Sequence, residues 1–315
     1  MSKVKIITIA CWLITTIVLV GLVAWFVGCI GFGNDSNFGF INIGQENFEE
    51  RTTYSAHIDD VDFVYVNWTS GRVEVYRHHS NYIQITEFSQ RELRRGEEFR
   101  ATTNDGVLQV EFGGNPGIMR NVQTKRLEIL VPYELDVETF NIQTVSGRVY
   151  IDGINTDTVE VTTTSGRIET NNVSAQTLEL RTTSGRIEVR DSTVDTVNLR
   201  TVSGRVGLVN VQAENVQTLT VSGRHYLSGI FGNVRATSTS GRIRLKSAEI
   251  PGRINASTTS GRIILTLPDK GEAISVNYAT RVGRFMSQIP VITYGGENAR
   301  FNFSTVSGRV RIFER

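Results

Sequence analysis

The tripeptide Ser-Gly-Arg occurs nine times in this chain, and five of its serines, Ser146, Ser165, Ser184, Ser203 and Ser222, are separated by a constant 19 residues. A fixed period of this length is the signature of a stacked repeat, in which each unit buries its apolar face only against its neighbours. The same tripeptide begins at Ser240, Ser260 and Ser307, and also at Ser70, four such intervals before Ser146. The repeat therefore frames most of the chain.

Within each repeat the apolar residues recur at a spacing of two. After Ser165 they stand at Ile168, Val173, Leu178 and Leu180, and after Ser184 at Ile187, Val189, Val194, Val197 and Leu199. That spacing predicts short strands separated by polar turns such as Asn171-Asn172 and Asp191-Ser192. A handful of aliphatic side chains cannot offset the conformational entropy of ordering a whole repeat, so one repeat cannot fold alone. The fold expected is all-β, a single-stranded parallel β-solenoid with rungs of about 19 residues. Regular rungs are expected over 141–266, with an irregular β beginning over 51–140 and C-terminal rungs and a cap over 267–315.

Two columns follow from stacking. Two residues before every serine but the first stands a hydroxyl residue (Thr144, Thr163, Thr182, Thr201, Thr220, Ser238, Thr258, Thr305). In-register strands would let these hydroxyls hydrogen-bond along the stack. The glycine after each serine is expected to supply a turn conformation closed to residues with a Cβ.

The arginines form the candidate site. Arg148, Arg167, Arg186, Arg205, Arg242 and Arg262 each precede an apolar strand position, so alternation points them to the opposite, solvated face; Arg224 precedes His225 and is the exception. Like charges about 5 Å apart repel by about 0.8 kcal/mol per neighbouring pair even in water. Either nearby acids such as Glu169, Glu188, Glu160 and Glu179 neutralise the column, or it forms an anion-binding stripe suited to an anionic envelope polymer. The adjacent glutamates favour the first reading.

Ile6 to Ile30 carries no charge and as a helix would extend about 37 Å, enough to cross a bilayer. The expected order is a cytoplasmic tip at 1–5, a transmembrane helix at 6–30 and a juxtamembrane linker at 31–50. Lys3 and Lys5 precede the segment and no Lys or Arg occurs from Cys29 to Glu50, which places the N-terminus in the cytoplasm and the rest outside. Lipidation at Cys29 is a competing way of attaching the chain at the same surface. Cys11 and Cys29 are the only cysteines, so no disulfide or cysteine nucleophile is available to the repeats.

With 33 basic against 32 acidic residues, global charge gives no reason to expect a nucleic-acid partner. His78-His79 reads as a solvated turn and Asp59, Asp60 and Asp62 as a strand entrance. No constellation points to catalytic, cofactor or metal residues, or to a small-molecule substrate.

The N-terminal apolar segment followed by units such as Thr163-Thr164-Ser165-Gly166-Arg167-Ile168 resembles the bacterial putative-adhesin family, also called toast-rack domains. The resemblance covers about residues 55–315. It implies a membrane-anchored envelope protein, often linked to adhesion or envelope stress, acting as a binding or scaffold module with a polymer or membrane-protein partner and no catalytic residues. Other classes left open are a carbohydrate-active enzyme on a β-solenoid and a solenoid that assembles end to end. Between Leu267 and Ser304 the pattern loosens, with Val282-Gly283-Arg284 in place of the full motif, and loops or an end cap are expected there.

Overall fold

In the computed structural model, residues 48–114, 124–134, 137–268, 273–293 and 300–314 are described. The expected transmembrane helix at 6–30 and nearly all of the linker lie outside them. Among the described residues no helix is long and apolar enough to cross a membrane. Asn47–Arg315 forms one compact unit.

The strands run in chain order β1 (Glu49–His57), β2 (Phe63–His78), β3 (Tyr82–Ser89), β4 (Arg100–Asn104), β5 (Val107–Glu111), β6 (Lys125–Pro132), β7 (Thr139–Asp152), β8 (Asn155–Ser165), β9 (Ile168–Asn171), β10 (Ser174–Arg190), β11 (Thr193–Ser247), β12 (Arg253–Leu267), β13 (Ile274–Ser287), β14 (Val291–Thr293) and β15 (Phe301–Glu314). A 3-10 turn, Ile58–Asp60, precedes β2. Through the middle of the molecule consecutive strands pair in parallel with a shift of one repeat, as in Leu178 with Val197, Ser184 with Ser203 and Arg186 with Arg205. The period read from the sequence is therefore the rung of the stack.

Each rung turns its alternate residues inward. Val159, Leu178, Val197 and Val216 form one buried column, and Ile168, Ile187, Val206 and Ile243 another. Both belong to one continuous apolar core. A polar corner closes the rung at Gly153, Asn172, Asp191 and Asn210, all with positive φ, the left-handed conformation that Gly, Asn and Asp adopt most readily. Asn172 Nδ2 donates to Asp152 Oδ1 at 2.8 Å and Asn210 Nδ2 to Asp191 Oδ1 at 2.7 Å, so this corner is stitched from rung to rung.

The Ser-Gly-Arg corner works differently from the expectation. Apart from Gly71, its glycines do not have positive φ. What excludes a side chain is close approach: a Cβ on Gly185 would lie 1.8 Å from Gly166 O, and one on Gly204 1.7 Å from Gly185 O. The hydroxyl ladder is also corrected. Thr144, Thr163, Thr182, Thr201, Thr220, Ser238, Thr258 and Thr305 are buried, yet none of their hydroxyls has a hydrogen-bond partner. In-register stacking sets equivalent atoms about 4.8 Å apart, well beyond the roughly 3 Å that paired hydroxyls require.

Both ends of the stack depart from chain order. At the N-terminal end β5 and β6 together form the rung below β2, with Val64 beside Leu108 and Val73 beside Leu127. β3 and β1 then add antiparallel strands outside β6. Lys125 occupies the glycine level of this end rung, opposite Gly71. Its Nζ is buried against Glu87 Oε1 at 2.8 Å and Gly113 O at 3.0 Å, with the Glu97 carbonyl as a further acceptor. It also lies 4.2 Å from the centre of the Phe112 ring, and that ring meets Trp68 edge-on at 4.8 Å. Trp68 stands where the higher rungs carry a hydroxyl residue, aligned with Thr144.

At the other end the order is β12, β15, β13, β14. β15 is inserted between two strands that precede it in the chain, aligning Ser307-Gly308-Arg309 with Ser260-Gly261-Arg262 on one side and with Val282-Gly283-Arg284 on the other. The Val-Gly-Arg stretch, expected as loop or cap, is thus strand rather than loop, and it lies in the outermost long strand of this end.

Candidate anion-binding face

Register brings all seven predicted arginines into one column. Arg72 aligns with Arg148, Arg186 with Arg205, and Arg242 with Arg262. Arg167 falls between Arg148 and Arg186, where its carbonyl accepts from Val149 N–H at 2.9 Å. Arg224 falls between Arg205 and Arg242, because Gly223 packs on Gly204 and Gly241 on Gly223. Arg148, Arg205, Arg224 and Arg262 are exposed, and Arg167, Arg186 and Arg242 half-buried. Arg224 is no exception, since His225 takes the inward position and is buried.

Arg309 and Arg284 extend the column at one end and Arg126 at the other. Arg309 carries the motif and was legible. Arg126 was not, because it lies in the rung that lacks the motif and is recognisable only by its place before Leu127, Ile129 and Val131.

The residue two positions after each arginine faces outward beside it and decides the charge of each level. Through the first rungs that column reads Glu128, Glu74, Tyr150, Glu169 and Glu188. Gly207 follows, aligned with Glu188, then Tyr226, Arg244, Ile264 and Arg311. Arg167 accordingly pairs with Glu169, and with Glu188 at 3.2 Å; Arg186 meets Glu188 at 3.3 Å and Arg126 meets Glu74 at 3.9 Å. From Arg205 onward the acids end. Among the described residues, Arg205, Arg224, Arg242, Arg244 and Arg262 have no carboxylate partner.

Glu160 and Glu179, expected to neutralise the column, do not. They lie in register with one another on a different stretch of the rung. Glu160 accepts from Asn141 Nδ2 at 2.9 Å and Glu179 pairs with Arg181. Burial pushes the Glu160 carboxyl above the usual range, and the charge of Glu179 adds to the effect. They miss because strand alternation fixes which side a residue faces but not which of a rung's flat faces carries it.

Loss of a side chain at Gly207 opens a cleft of about 370 Å³ lined by Arg186, Arg205, Arg224, Arg242, Arg244 and Tyr226, among others. A second groove of about 460 Å³ runs over the corners Ser222–Arg224, Ser240–Arg242 and Ser260–Arg262. Beneath the cleft, His225 Nδ1 lies 2.8 Å from Thr218 Oγ1, a hydrogen-bonded polar pair inside the core. Burial pushes the imidazole down to about 4, partly opposed by the Thr237 backbone.

Elsewhere, His79 stacks on Tyr133 with ring centres 4.5 Å apart, and Asp59, Asp60 and Asp62 are exposed at the entrance to β2. Among the described residues no three His, Cys, Asp or Glu side chains are grouped to hold a metal ion.

A continuous stack of in-register parallel rungs with a charged ladder on its outer face defines a β-solenoid of the repeat-protein class. The chain belongs to the toastrack family: the family model described as Toastrack DUF4097 matches residues 62–314. Among solved structures, one titled a putative adhesin from Parabacteroides distasonis is similar at 11% identity and TM-score 0.51, covering 84% of this chain and 98% of that one. Another putative adhesin, from Bacteroides fragilis, is similar at 13% identity and TM-score 0.48, covering 84% and 96%. At these identities the likeness concerns the fold. Among curated proteins, none matches the chain.

Proposed function

We propose that the protein is a binding or scaffolding module of the bacterial envelope, adhesin-like rather than enzymatic. In this reading residues 6–30 cross the membrane, the N-terminus is cytoplasmic and the solenoid stands outside. The observation that carries the reading is the solenoid's long outer face, on which one arginine per rung is held in register. Repeated identical groups on a rigid stack suit a partner that is itself repetitive. Membership of the toastrack family and the adhesin title of the Parabacteroides neighbour support the same reading, as does the charge-free segment 6–30 with Lys3 and Lys5 before it.

The test is made on intact cells of the host. Protease added outside is expected to digest the solenoid without lysis, and a deletion strain is expected to attach less to surfaces or to respond less to envelope stress. A solenoid protected until lysis overturns the topology. Hydrolysis of an envelope polymer by the purified protein overturns the non-enzymatic reading.

A further inference from the structure

The arginine column has two halves. Up to Arg186 the charges of Arg126, Arg167 and Arg186 are met within the protein by Glu74, Glu169 and Glu188, and these pairs leave little for a ligand; Arg148, beside Tyr150, has no carboxylate partner among the described residues and stands apart from the later file. From Arg205 onward the facing column turns from acid to glycine, tyrosine and arginine, and the guanidinium groups repel one another without internal compensation. An uncompensated file of guanidinium groups at the rung spacing of about 4.8 Å is matched by a linear chain bearing carboxylates at a similar interval.

We propose that Arg205, Arg224, Arg242 and Arg244, around the gap left by Gly207, form a binding site for a linear acidic polysaccharide running along the stack. The proposal deepens the envelope-binding reading and rests on it only for the source of the polymer. Each guanidinium offers a planar pair of donors to one carboxylate. Tyr226, 38% exposed at the edge of the cleft, offers an aromatic face to the apolar side of a sugar ring. The gap at Gly207 admits the ring between Glu188 and Tyr226. Charge complementarity selects an anion, and the tyrosine at the cleft favours a sugar over a bare phosphate chain. Duplex DNA carries one charge per about 3.4 Å of helix axis on each strand and winds its phosphates around that axis, so it does not present a straight file of charges in step with the rungs.

Gly207 supplies the sharpest test. A Cβ there would meet nothing closer than 3.8 Å, and its φ is not in the left-handed region, so Gly207→Glu is accommodated without disturbing the stack. It also restores the acid found one rung below at Glu188. The full-length protein in neutral detergent is titrated with fluorescently labelled polygalacturonate across a salt series, beside uncharged dextran and duplex DNA.

The wild type is expected to bind polygalacturonate with a steep salt dependence and not to bind dextran. Gly207→Glu is expected to weaken binding about tenfold or more. Each of Arg224→Gln and Arg244→Gln is expected to reduce the salt slope by about one. Arg167→Gln, in the compensated half, is expected to leave affinity unchanged, and all four variants should melt within a few degrees of the wild type. The proposal is overturned if polygalacturonate does not bind, if DNA binds as tightly, if Arg167→Gln weakens binding as much as Arg224→Gln, or if Gly207→Glu has no effect. Failure here leaves the cell-surface experiment standing, since that experiment reads location and attachment rather than this ligand.

Discussion

His225 makes the stability of one level of the stack depend on pH. It occupies a position filled by Ile187, Val206, Ile243 and Ile263 in neighbouring rungs, is 1% exposed, and shares the core with Thr218. Burial holds its imidazole at about 4 against an ordinary value of 6.5. The unfolded chain therefore takes up a proton below about pH 6.5 that the native chain refuses until about pH 4, and between those values stability falls as pH falls. At about 1.4 kcal/mol per pH unit the full loss is about 3 kcal/mol, and most of it falls between pH 7.5 and 4.5. Carboxylates also titrate over that range, so the effect must be isolated by difference. The variant Thr218→Val with His225→Leu replaces both polar partners by aliphatic groups, which leaves no orphaned hydroxyl. Urea unfolding at the two pH values is expected to show the wild type losing about 2–3 kcal/mol more than the variant. Equal losses in the two proteins would refute a neutral buried imidazole.

Gly185→Ala places a methyl group against Gly166 O and Thr182 Oγ1 and is expected to cost about 1–3 kcal/mol in urea unfolding, whereas Gly207→Ala, whose methyl would meet Glu188 Cγ and Ile187 O only at an ordinary 3.8 Å, is expected to be neutral or to stabilise by about 0.5 kcal/mol; equal costs would show that close approach is not what selects glycine at the corner. Lys125→Met leaves Glu87, whose side chain is fully buried, without its countercharge. A loss of about 3–5 kcal/mol is expected, read as a fall in melting temperature of roughly 6–20 °C, with partial recovery when Glu87→Gln is added; an unchanged melt would show the pair to be dispensable. Thr201→Val removes a buried hydroxyl that has no partner and is expected to stabilise by about 1 kcal/mol. A loss of similar size would mean that the hydroxyl is bonded after all.

The repeat made the middle of the fold legible because its period and its rung are the same thing: Ser165, Ser184 and Ser203 lie in register as their spacing requires. Alternation likewise placed Arg148 through Arg262 on the outside. What the period could not show is order at the ends, where pairing departs from succession along the chain. Nothing local in Val107–Glu111 or Lys125–Pro132 indicates that these strands stack beneath β2, and nothing in 301–314 shows that it enters between two earlier strands. The chemistry of the corner was also misjudged, because a threonine-glycine pattern is compatible with both a hydrogen-bonded ladder and a close-packed one, and only the distance between rungs decides. The division of the arginine column into two halves was present in the sequence, as Glu169 and Glu188 giving way to Gly207 and Arg244. It became meaningful only once register showed that these residues share one column.

The insertion of β15 has a consequence for the order of events during synthesis. β12 and β13 leave the ribosome one after the other, yet the slot between them is filled by residues 301–314, made after both. Assembly of that end therefore waits. A chain interrupted before Phe301 holds two strand edges apart with nothing to join them, and such open edges are targets for misassociation and for proteases. Closing this end thus depends on β15, a dependence that a solenoid built strictly in order of synthesis would not possess.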